Sequence, residues 1–138
     1  MAISYVTWQN TRKGGNKLWY GRAVHHTTIE LPELAERIQR NCSMKKSDVL
    51  AVLTEMVEAM NDEMQNSNKV KINGLGTFYI NLKSGGAIDE AEYNASEYVK
   101  GFRVKFLAEG KKSNGQFTRT FLEGIKVQKA VGAKKTTV

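Results

Sequence analysis

The chain has 138 residues, a net charge of +7 and an apolar fraction of 41%, which indicates one folded domain with room for terminal extensions. No apolar run is long enough to span a bilayer, and residues 1–5 lack the basic and apolar regions of an export signal, so we expect a cytoplasmic protein without a membrane partner. The single cysteine, Cys42, excludes an intramolecular disulfide, and we expect it to be a reduced residue of the core.

The positive charge is unevenly distributed along the chain. Residues 30–68 carry four basic and eight acidic side chains, whereas residues 98–138 carry ten basic and two acidic ones. Residues 1–29 and 69–88 add seven basic side chains and no acidic ones. This asymmetry is typical of a protein that presents one face to a polyphosphate, although basic proteins that never bind nucleic acid are also common.

An N-terminal β-hairpin is predicted over residues 1–27. Two segments rich in aromatic and β-branched residues, 4–7 and 18–24, flank a glycine-containing basic tip at residues 11–16. The aromatic residues of this hairpin could stack on nucleic-acid bases, but packing within a strand pair laid on the body of the protein is the interpretation we favour. These residues are Trp8, Trp19 and Tyr20. The adjacent His25 and His26 have no second cluster of ligands at metal-binding spacing, so no metal site is predicted.

Two amphipathic helices are predicted between residues 28 and 65. The first ends near Asn41, and the second ends near Gln65. The second helix carries a long apolar stripe formed by Val49, Val52, Leu53, Met56, Val57, Met60 and Met64. A stripe rich in methionine can form a peptide groove. Packing in the core or against a second copy is the interpretation we favour, because a fold of this size buries little apolar surface alone.

A second β-hairpin is predicted directly after these helices. Apolar residues alternate with polar ones on either side of a turn at Gly74-Leu75-Gly76. The order helix, helix and then K-V-x-I-x-G-[apolar]-G-T-F resembles the HU/IHF family of bacterial histone-like DNA-binding proteins. The similarity extends to an E-L motif at Glu33 and to the inter-helix residues 45–48, and it is strongest over residues 30–82 and looser over residues 98–129.

The resemblance implies an α+β fold that forms an intertwined homodimer, with two N-terminal helices, an antiparallel sheet with a short arm, and a C-terminal helix. The N-terminal hairpin resembles that of an extended HU-related subgroup. In this family the second helix lies at the centre of the dimer. The dimer-interface residues implied here are Val49, Leu53, Met56, Val57, Met60, Met64 and Phe78.

Residues 84–97 depart from the HU/IHF pattern. In HU and IHF, long β-arms carry a proline that wedges between base pairs and kinks the duplex. This chain has no proline after Pro32, and its arm region is short and carries four carboxylates where phosphate contact would require cations. We therefore expect that the kinking mechanism is not shared.

The last third of the chain is predicted to form a strand and a helix. Phe102, Val104 and Phe106 alternate with Arg103 and Lys105, which predicts a strand with one apolar and one cationic face. The apolar residues between positions 117 and 125 suggest a final helix that ends the HU/IHF-like domain, residues 28–129. Residues 130–138 are interpreted as a flexible tail.

No catalytic constellation is predicted, and no cofactor or small-molecule substrate is expected. The glycines at 74 and 76 lie between two strands and lack the helix N-terminus that a phosphate-cradling loop needs. The leading hypothesis is architectural binding of double-stranded DNA without sequence specificity in the bacterial nucleoid, held by phosphate contacts. The predicted DNA-binding residues are Lys71, Lys83, Arg103, Lys105, Lys111, Lys112, Arg119 and Lys126. The alternative is an HU-like protein-interaction or structural module with reduced DNA binding.

Overall fold

A computed structural model describes residues 2–131 and 136–137. The elements in the first half of the chain are β1 (Ile3–Gln9), β2 (Trp19–Ala23), α1 (Leu31–Asn41), α2 (Lys46–Gln65), β3 (Val70–Ile72) and β4 (Gly76–Ser84). The second half contains α3 (Ala95–Tyr98), β5 (Val99–Ala108), β6 (Gly110–Ser113), β7 (Gln116–Arg119), β8 (Val127–Lys129) and β9 (Thr136–Thr137). The chain divides into two compact units, one formed by residues 1–30 and 122–138 and the other by residues 31–121.

In the unit of residues 31–121, the two predicted helices form and pack against each other. Each contributes one of the two buried apolar side chains among the described residues, Ala35 on α1 and Val49 on α2. The first turn of α2 is held by α1, because the backbone N–H of Lys46 donates to the side-chain oxygen of Gln39 at 2.6 Å. This bond satisfies one of the free donors at the start of the helix.

A three-stranded antiparallel sheet follows, in the order β3-β4-β5. The predicted glycine turn is confirmed: the N–H of Leu75 donates to the carbonyl of Ile72 at 3.0 Å, and Gly74 has a φ of +85°. Gly76 has a φ of +149°, and a Cβ placed there would lie 2.7 Å from the ring of Phe106. Position 76 requires glycine because the backbone there lies so close to β5 that no space remains for a side chain.

The connection between β4 and β5 is a folded loop. The two strands pair up to Ser84 and Val99, and residues 85–98 between them contain a 3-10 turn at Glu90–Glu92 and the single-turn helix α3. The short arm that the sequence predicts is therefore a loop with its own helical turns, and no second hairpin extends from the sheet in this segment.

The predicted C-terminal helix is wrong. Residues 116–129 instead form β7, a 3-10 turn at Thr120–Leu122, and β8. The reason lies in two residues: Asn114 and Gly115 adopt φ angles of +50° and +80°, and this Asn-Gly turn closes a tight hairpin between β6 and β7. Gly124, at a φ of +68°, then ends the 3-10 segment.

The unit of residues 1–30 and 122–138 is built around β1. The predicted N-terminal hairpin is present, because β1 pairs antiparallel with β2, with Trp8 opposite Tyr20. On its other side β1 pairs in parallel with β8 and with β9. The predicted flexible tail falls largely on residues 132–135 and 138, which lie outside the described residues.

Most large apolar side chains of the described residues are exposed. Examples are Phe102 at 68%, Val104 at 67% and Val57 at 56%. Cys42 is also exposed, so its predicted place in the core is wrong in a single copy of the chain. No described helix is long and apolar enough to cross a membrane. A single copy of this chain therefore leaves unburied the apolar surface that a stable domain of this size would bury.

Candidate nucleic-acid interface

The pairing of β4 and β5 places lysine and arginine side chains on one face of the sheet. Lys105 pairs with Tyr79, and Arg103 pairs with Asn81. Because alternate residues of a strand point to the same side, these positions share a face with Lys83. We call Tyr79, Asn81, Lys83, Arg103 and Lys105 the cationic face. Its three cations are exposed, and none has an ion-pair partner among the described residues.

Lys69 adds a further cation to this face. Its ammonium lies 5.0 Å from the centre of the Tyr79 ring, within the range of a cation–π contact. The sequence analysis did not select Lys69, because it precedes the first strand of the hairpin. Only the fold places it over Tyr79.

The opposite side of the same sheet is apolar. Phe78 and Phe106 stack there with ring centres 4.7 Å apart, and Phe78 is half-buried. Leu82 remains 59% exposed. The sheet thus has one cationic and one apolar side, as the alternation in the sequence predicts, and the apolar side is incompletely covered in one copy of the chain.

Two of the predicted DNA-binding cations are engaged within the fold. The ammonium of Lys71 lies 3.9 Å from the carboxylate of Glu109, and this carboxylate also accepts the backbone N–H of Gly74. The guanidinium of Arg119 donates to the carbonyl of Ala108 at 2.6 Å and lies over the ring of Phe117. Arg119 is therefore held by contacts within the fold, whereas Lys71 makes a long surface ion pair and its side chain remains 61% exposed.

The three remaining predicted cations lie outside the cationic face. Lys111 and Lys112 are neighbours on β6, opposite Thr118 and Phe117 respectively, so they point to opposite sides of that hairpin. Lys126 belongs to the other unit, where its carbonyl accepts the N–H of Ile3 at 2.8 Å. Of the eight predicted positions, the fold gathers Lys83, Arg103 and Lys105 on the cationic face and Lys71 at its edge, because Lys71 pairs with Thr77, two residues before Tyr79 on β4.

The acidic loop, residues 85–98, is held by its own hydrogen bonds. Asn94 caps α3 by accepting the N–H of Glu97 at 2.9 Å. Tyr93 stacks on Tyr98 with ring centres 5.3 Å apart, and its hydroxyl lies 2.8 Å from that of Ser84. Ile88, by contrast, is fully exposed. Tyr93 is thus committed to the loop, and Ile88 is the one large aliphatic side chain of the loop that is free to contact a partner.

The predicted dimer-interface residues divide into two groups. Val49 is buried, and Leu53, Met60, Met64 and Phe78 are half-buried within one copy. Met56 and Val57 are exposed, at 38% and 56%. The first group contributes to packing within the chain, so Met56 and Val57, together with the neighbouring Val52, form the part of the α2 stripe that is open to a second copy.

The described residues contain no group of three or more histidine, cysteine or acidic side chains that could hold a metal ion. One carboxyl group has a shifted pKa: the hydrogen bond and charge of Arg40, aided by the charge of Lys46, lower the pKa of Glu36. This cluster lies on the surface of α1, apart from the strands that carry the cationic face. It is an ordinary exposed ion pair rather than a catalytic arrangement.

The comparison with family models decides the relationship. A model described as an HU domain fused to a wHTH, Ig or glycine-rich motif matches residues 1–123. The chain belongs to this HU-HIG family. The match to HU-HIG starts at residue 1 and therefore includes the N-terminal hairpin, and it supports the resemblance seen in the helices and the glycine hairpin.

Solved structures also match the fold. One is a crystal structure from Bacteroides vulgatus ATCC 8482, described as a candidate bacterial DNA-binding protein, with a TM-score of 0.58 and 13% sequence identity. The match covers 96% of this HU-HIG chain and 51% of the other chain, so this chain spans about half the length of that protein. At this identity the likeness concerns the fold. No curated protein matches the chain.

Proposed function

We propose that this HU-HIG protein binds double-stranded DNA without sequence specificity, as a homodimer with an architectural role. The observation that carries the proposal is the cationic face, where Lys83, Arg103 and Lys105 are exposed on adjacent paired strands. Lysine and arginine on a sheet meet phosphate oxygens readily, and neutralising phosphates releases counterions from the duplex. Both the family and the described role of the Bacteroides vulgatus protein support DNA as the ligand.

We expect no base reading because α2, the longest helix of the described residues, is acidic. A protein that reads the major groove places a helix with suitable side chains against base edges. Here α2 carries Asp48, Glu55, Glu58, Asp62 and Glu63, which the phosphates on both sides of a groove would repel. Binding through the sheet contacts the backbone, and backbone contacts carry no sequence information directly.

The homodimer is proposed because of the apolar surface left open in one copy. This surface comprises the apolar side of the β4–β5 sheet, with Phe102 and Val104 about two-thirds exposed, and the open part of the α2 stripe. A second copy offers the same surfaces in return, which is how a two-fold interface is built. Such a dimer would also present two cationic faces, so the phosphate contacts would double.

Two further features belong to the same proposal. The protein would act in the bacterial nucleoid, in the cytoplasm, as expected of an architectural DNA binder. It would bind without catalysis, cofactor or small-molecule substrate. The uneven charge along the chain supports this role. Acidic side chains outnumber basic ones in the helical segment, residues 30–68, and basic side chains outnumber acidic ones in residues 98–138, which form most of the later strands.

A duplex titration at two salt concentrations tests the proposal. We expect the affinity for a duplex of mixed sequence to fall steeply between about 50 and 200 mM salt, because phosphate contacts are lost to competing cations. Exchanging the duplex sequence should change the affinity by less than about a hundredfold, or roughly 3 kcal/mol. An affinity insensitive to salt, or one sequence preferred beyond that factor, would contradict the proposal.

A protein-interaction role is the second candidate. The acidic loop carries four carboxylates, and Ile88 at its surface is fully exposed. An exposed aliphatic side chain followed in sequence by carboxylates suits a basic protein partner better than a duplex. This role would be favoured if the titration showed no salt-dependent duplex binding.

A further inference from the structure

We propose that the N-terminal hairpin is a second nucleic-acid site, which binds single strands by stacking unpaired bases on Trp8 and Tyr20. The site lies in the unit of residues 1–30 and 122–138 and shares no residue with the cationic face. It is therefore independent of the duplex-binding proposal, and either one can fail without the other.

The pairing of β1 and β2 places two aromatic rings and a guanidinium on one side of the hairpin. Trp8 lies opposite Tyr20, and Arg22 lies opposite Val6, two positions away on each strand. The rings of Trp8 and Tyr20 are in contact, with centres 5.4 Å apart and planes inclined by 30°. They form one continuous aromatic surface beside Arg22.

This aromatic surface is accessible. Every residue of β2, from Trp19 to Ala23, is exposed, and the strand forms the edge of its sheet. Tyr20 itself is 39% exposed. Trp8 is half-buried, so Tyr20 at the sheet edge is the more accessible ring for stacking, and Trp8 adjoins it.

The charges around the rings identify the kind of ligand. Arg12, Lys13 and Lys17 lie in the connection between β1 and β2, and Arg22 lies on β2. Residues 1–29 contain no carboxylate. A cationic track beside stacked aromatic rings is the arrangement by which proteins bind single strands, because phosphates follow the cations and any base can stack on a ring.

The connection between the strands is tied to the aromatic surface. The side-chain amide of Asn16 donates to the hydroxyl of Tyr20 at 2.6 Å, and that of Gln9 donates to the carbonyl of Lys17 at 2.8 Å. The first bond attaches the connection, which carries Arg12, Lys13 and Lys17, to Tyr20. A bound strand would thus meet phosphate contacts and stacking contacts within one short segment.

The two tryptophans of the chain, Trp8 and Trp19, both lie in this hairpin, so intrinsic tryptophan fluorescence reports on the hairpin. The experiment titrates the full chain with oligothymidylate of about 12 nucleotides, a length within the range of known single-strand sites. A matched oligouridylate distinguishes DNA from RNA. We expect saturable quenching with at least one of the two, and no quenching with either would overturn the proposal.

Single-tryptophan variants show which face of the hairpin binds the oligonucleotide. Trp19 pairs with Gln9 and points to the side opposite Trp8. With Trp19→Phe, the remaining Trp8 should retain the quenching. With Trp8→Phe, the remaining Trp19 should show much less of it, and the opposite pattern would overturn the assignment to the Trp8–Tyr20 surface.

Variants of Tyr20 separate stacking from hairpin stability. Tyr20→Phe keeps the ring and loses the hydroxyl that Asn16 contacts, so the affinity should change little. Tyr20→Ala should weaken binding by roughly 5- to 150-fold, the effect of losing one base–aromatic stack. Equal losses in both variants would overturn the proposal, because they would show that the hydroxyl contact rather than the ring matters.

Two outcomes distinguish this site from other interfaces. Charge reversal at Arg103 and Lys105 should leave the quenching by oligothymidylate unchanged, which shows that the signal does not come from the cationic face. The open edge of β2 could instead pair with a strand of another protein chain. If Tyr20→Ala changes the molecular mass in light scattering and leaves oligonucleotide binding intact, the hairpin is such an interface and the proposal is wrong.

Discussion

Lys105 on β5 pairs directly with Tyr79 on β4, and the ring of Tyr79 in turn lies beneath the ammonium of Lys69. The pairing brings together cations that are separated by 36 positions in the sequence. It also puts Arg103 on the same face, two residues along the strand. The cationic face is thus a product of strand register, and its charges can be tested as a unit.

Charge reversal on this face should weaken duplex binding. For the double variant Arg103→Glu and Lys105→Glu, we expect a shallower salt dependence. The magnitude of the slope of log affinity against log salt should decrease by about 2 if one protomer contacts the duplex and by about 4 if both do. The matched control is the double variant Arg37→Glu and Lys45→Glu, which reverses two charges at exposed positions on α1 and directly before α2 and should leave the slope unchanged. Equal effects of the variant and the control would mean that only net charge matters.

A carboxylate in the open part of the α2 stripe should disrupt the dimer. Val57 is 56% exposed in one copy, and Val57→Asp would bury an unpaired charge in a two-copy interface, at a cost of several kcal/mol. Light scattering of the unmodified chain should give twice the monomer mass, and that of the variant should give the monomer or unfolded chain.

The control for this variant introduces the same charge on the same helix. Asn61 is exposed and accepts a hydrogen bond from Gln65 at 3.0 Å, which an aspartate can also accept. Asn61→Asp should retain the dimer mass. A monomer mass for the unmodified chain at micromolar concentration, with a cooperative melt, would show that no dimer is needed.

Removing the carboxylate of Glu109 should loosen the glycine turn. This carboxylate accepts the N–H of Gly74 and lies near the ammonium of Lys71. Glu109→Ala should lower the free energy of unfolding by about 1–3 kcal/mol, because a charge-assisted hydrogen bond is lost. Glu109→Gln keeps an acceptor and should cost less in chemical denaturation.

The same glutamine variant links stability to binding. Because Glu109→Gln removes the negative charge beside Lys71, it should free that cation and raise the duplex affinity at low salt. An unchanged affinity would indicate that Lys71 does not reach the DNA.

Gly76 should not tolerate a side chain. Gly76→Ala would force a φ of +149° on a residue with a Cβ and press that Cβ against Phe106, so we expect a loss of about 2–3 kcal/mol in the free energy of unfolding. Gly86, in the acidic loop, has nothing within 4 Å of the equivalent position. Gly86→Ala is the control, and similar melting temperatures for both variants would contradict the described packing at Gly76.

Bending of DNA should be weaker than in HU or IHF. Kinking needs an apolar wedge on an arm that reaches around the duplex, with nearby cations to offset unstacking, which costs a few kcal/mol per step. The acidic loop offers Ile88 as its one exposed aliphatic wedge, among carboxylates, while Tyr93 is held by Ser84 and Tyr98. Energy transfer between the ends of a short labelled duplex should therefore change little on binding. A large shortening that Ile88→Ala abolishes would show that this loop acts as a DNA arm.

Local patterns in the sequence predicted much of the first two-thirds of the chain. The 3.6-residue period gave both helices, and the period-two alternation around Gly74 gave β3 and β4, because these signals depend on neighbours close in sequence. The prediction of a C-terminal helix was wrong, although the sequence contains a local signal for a hairpin. Asn114-Gly115 is the strongest short-range indication of a hairpin, but the interpretation followed the apolar spacing from Phe117 to Ile125 and did not use it.

The sequence by itself determined that this protein is basic, α+β and amphipathic in its central strands, because composition and periodicity are properties of the chain. Only the tertiary structure decided which cations lie together. Register brings Arg103 and Lys105 beside Lys83, ties Lys71 to Glu109, and directs Arg119 to the carbonyl of Ala108. Those choices depend on hydrogen bonds between residues distant in sequence, which no local pattern encodes.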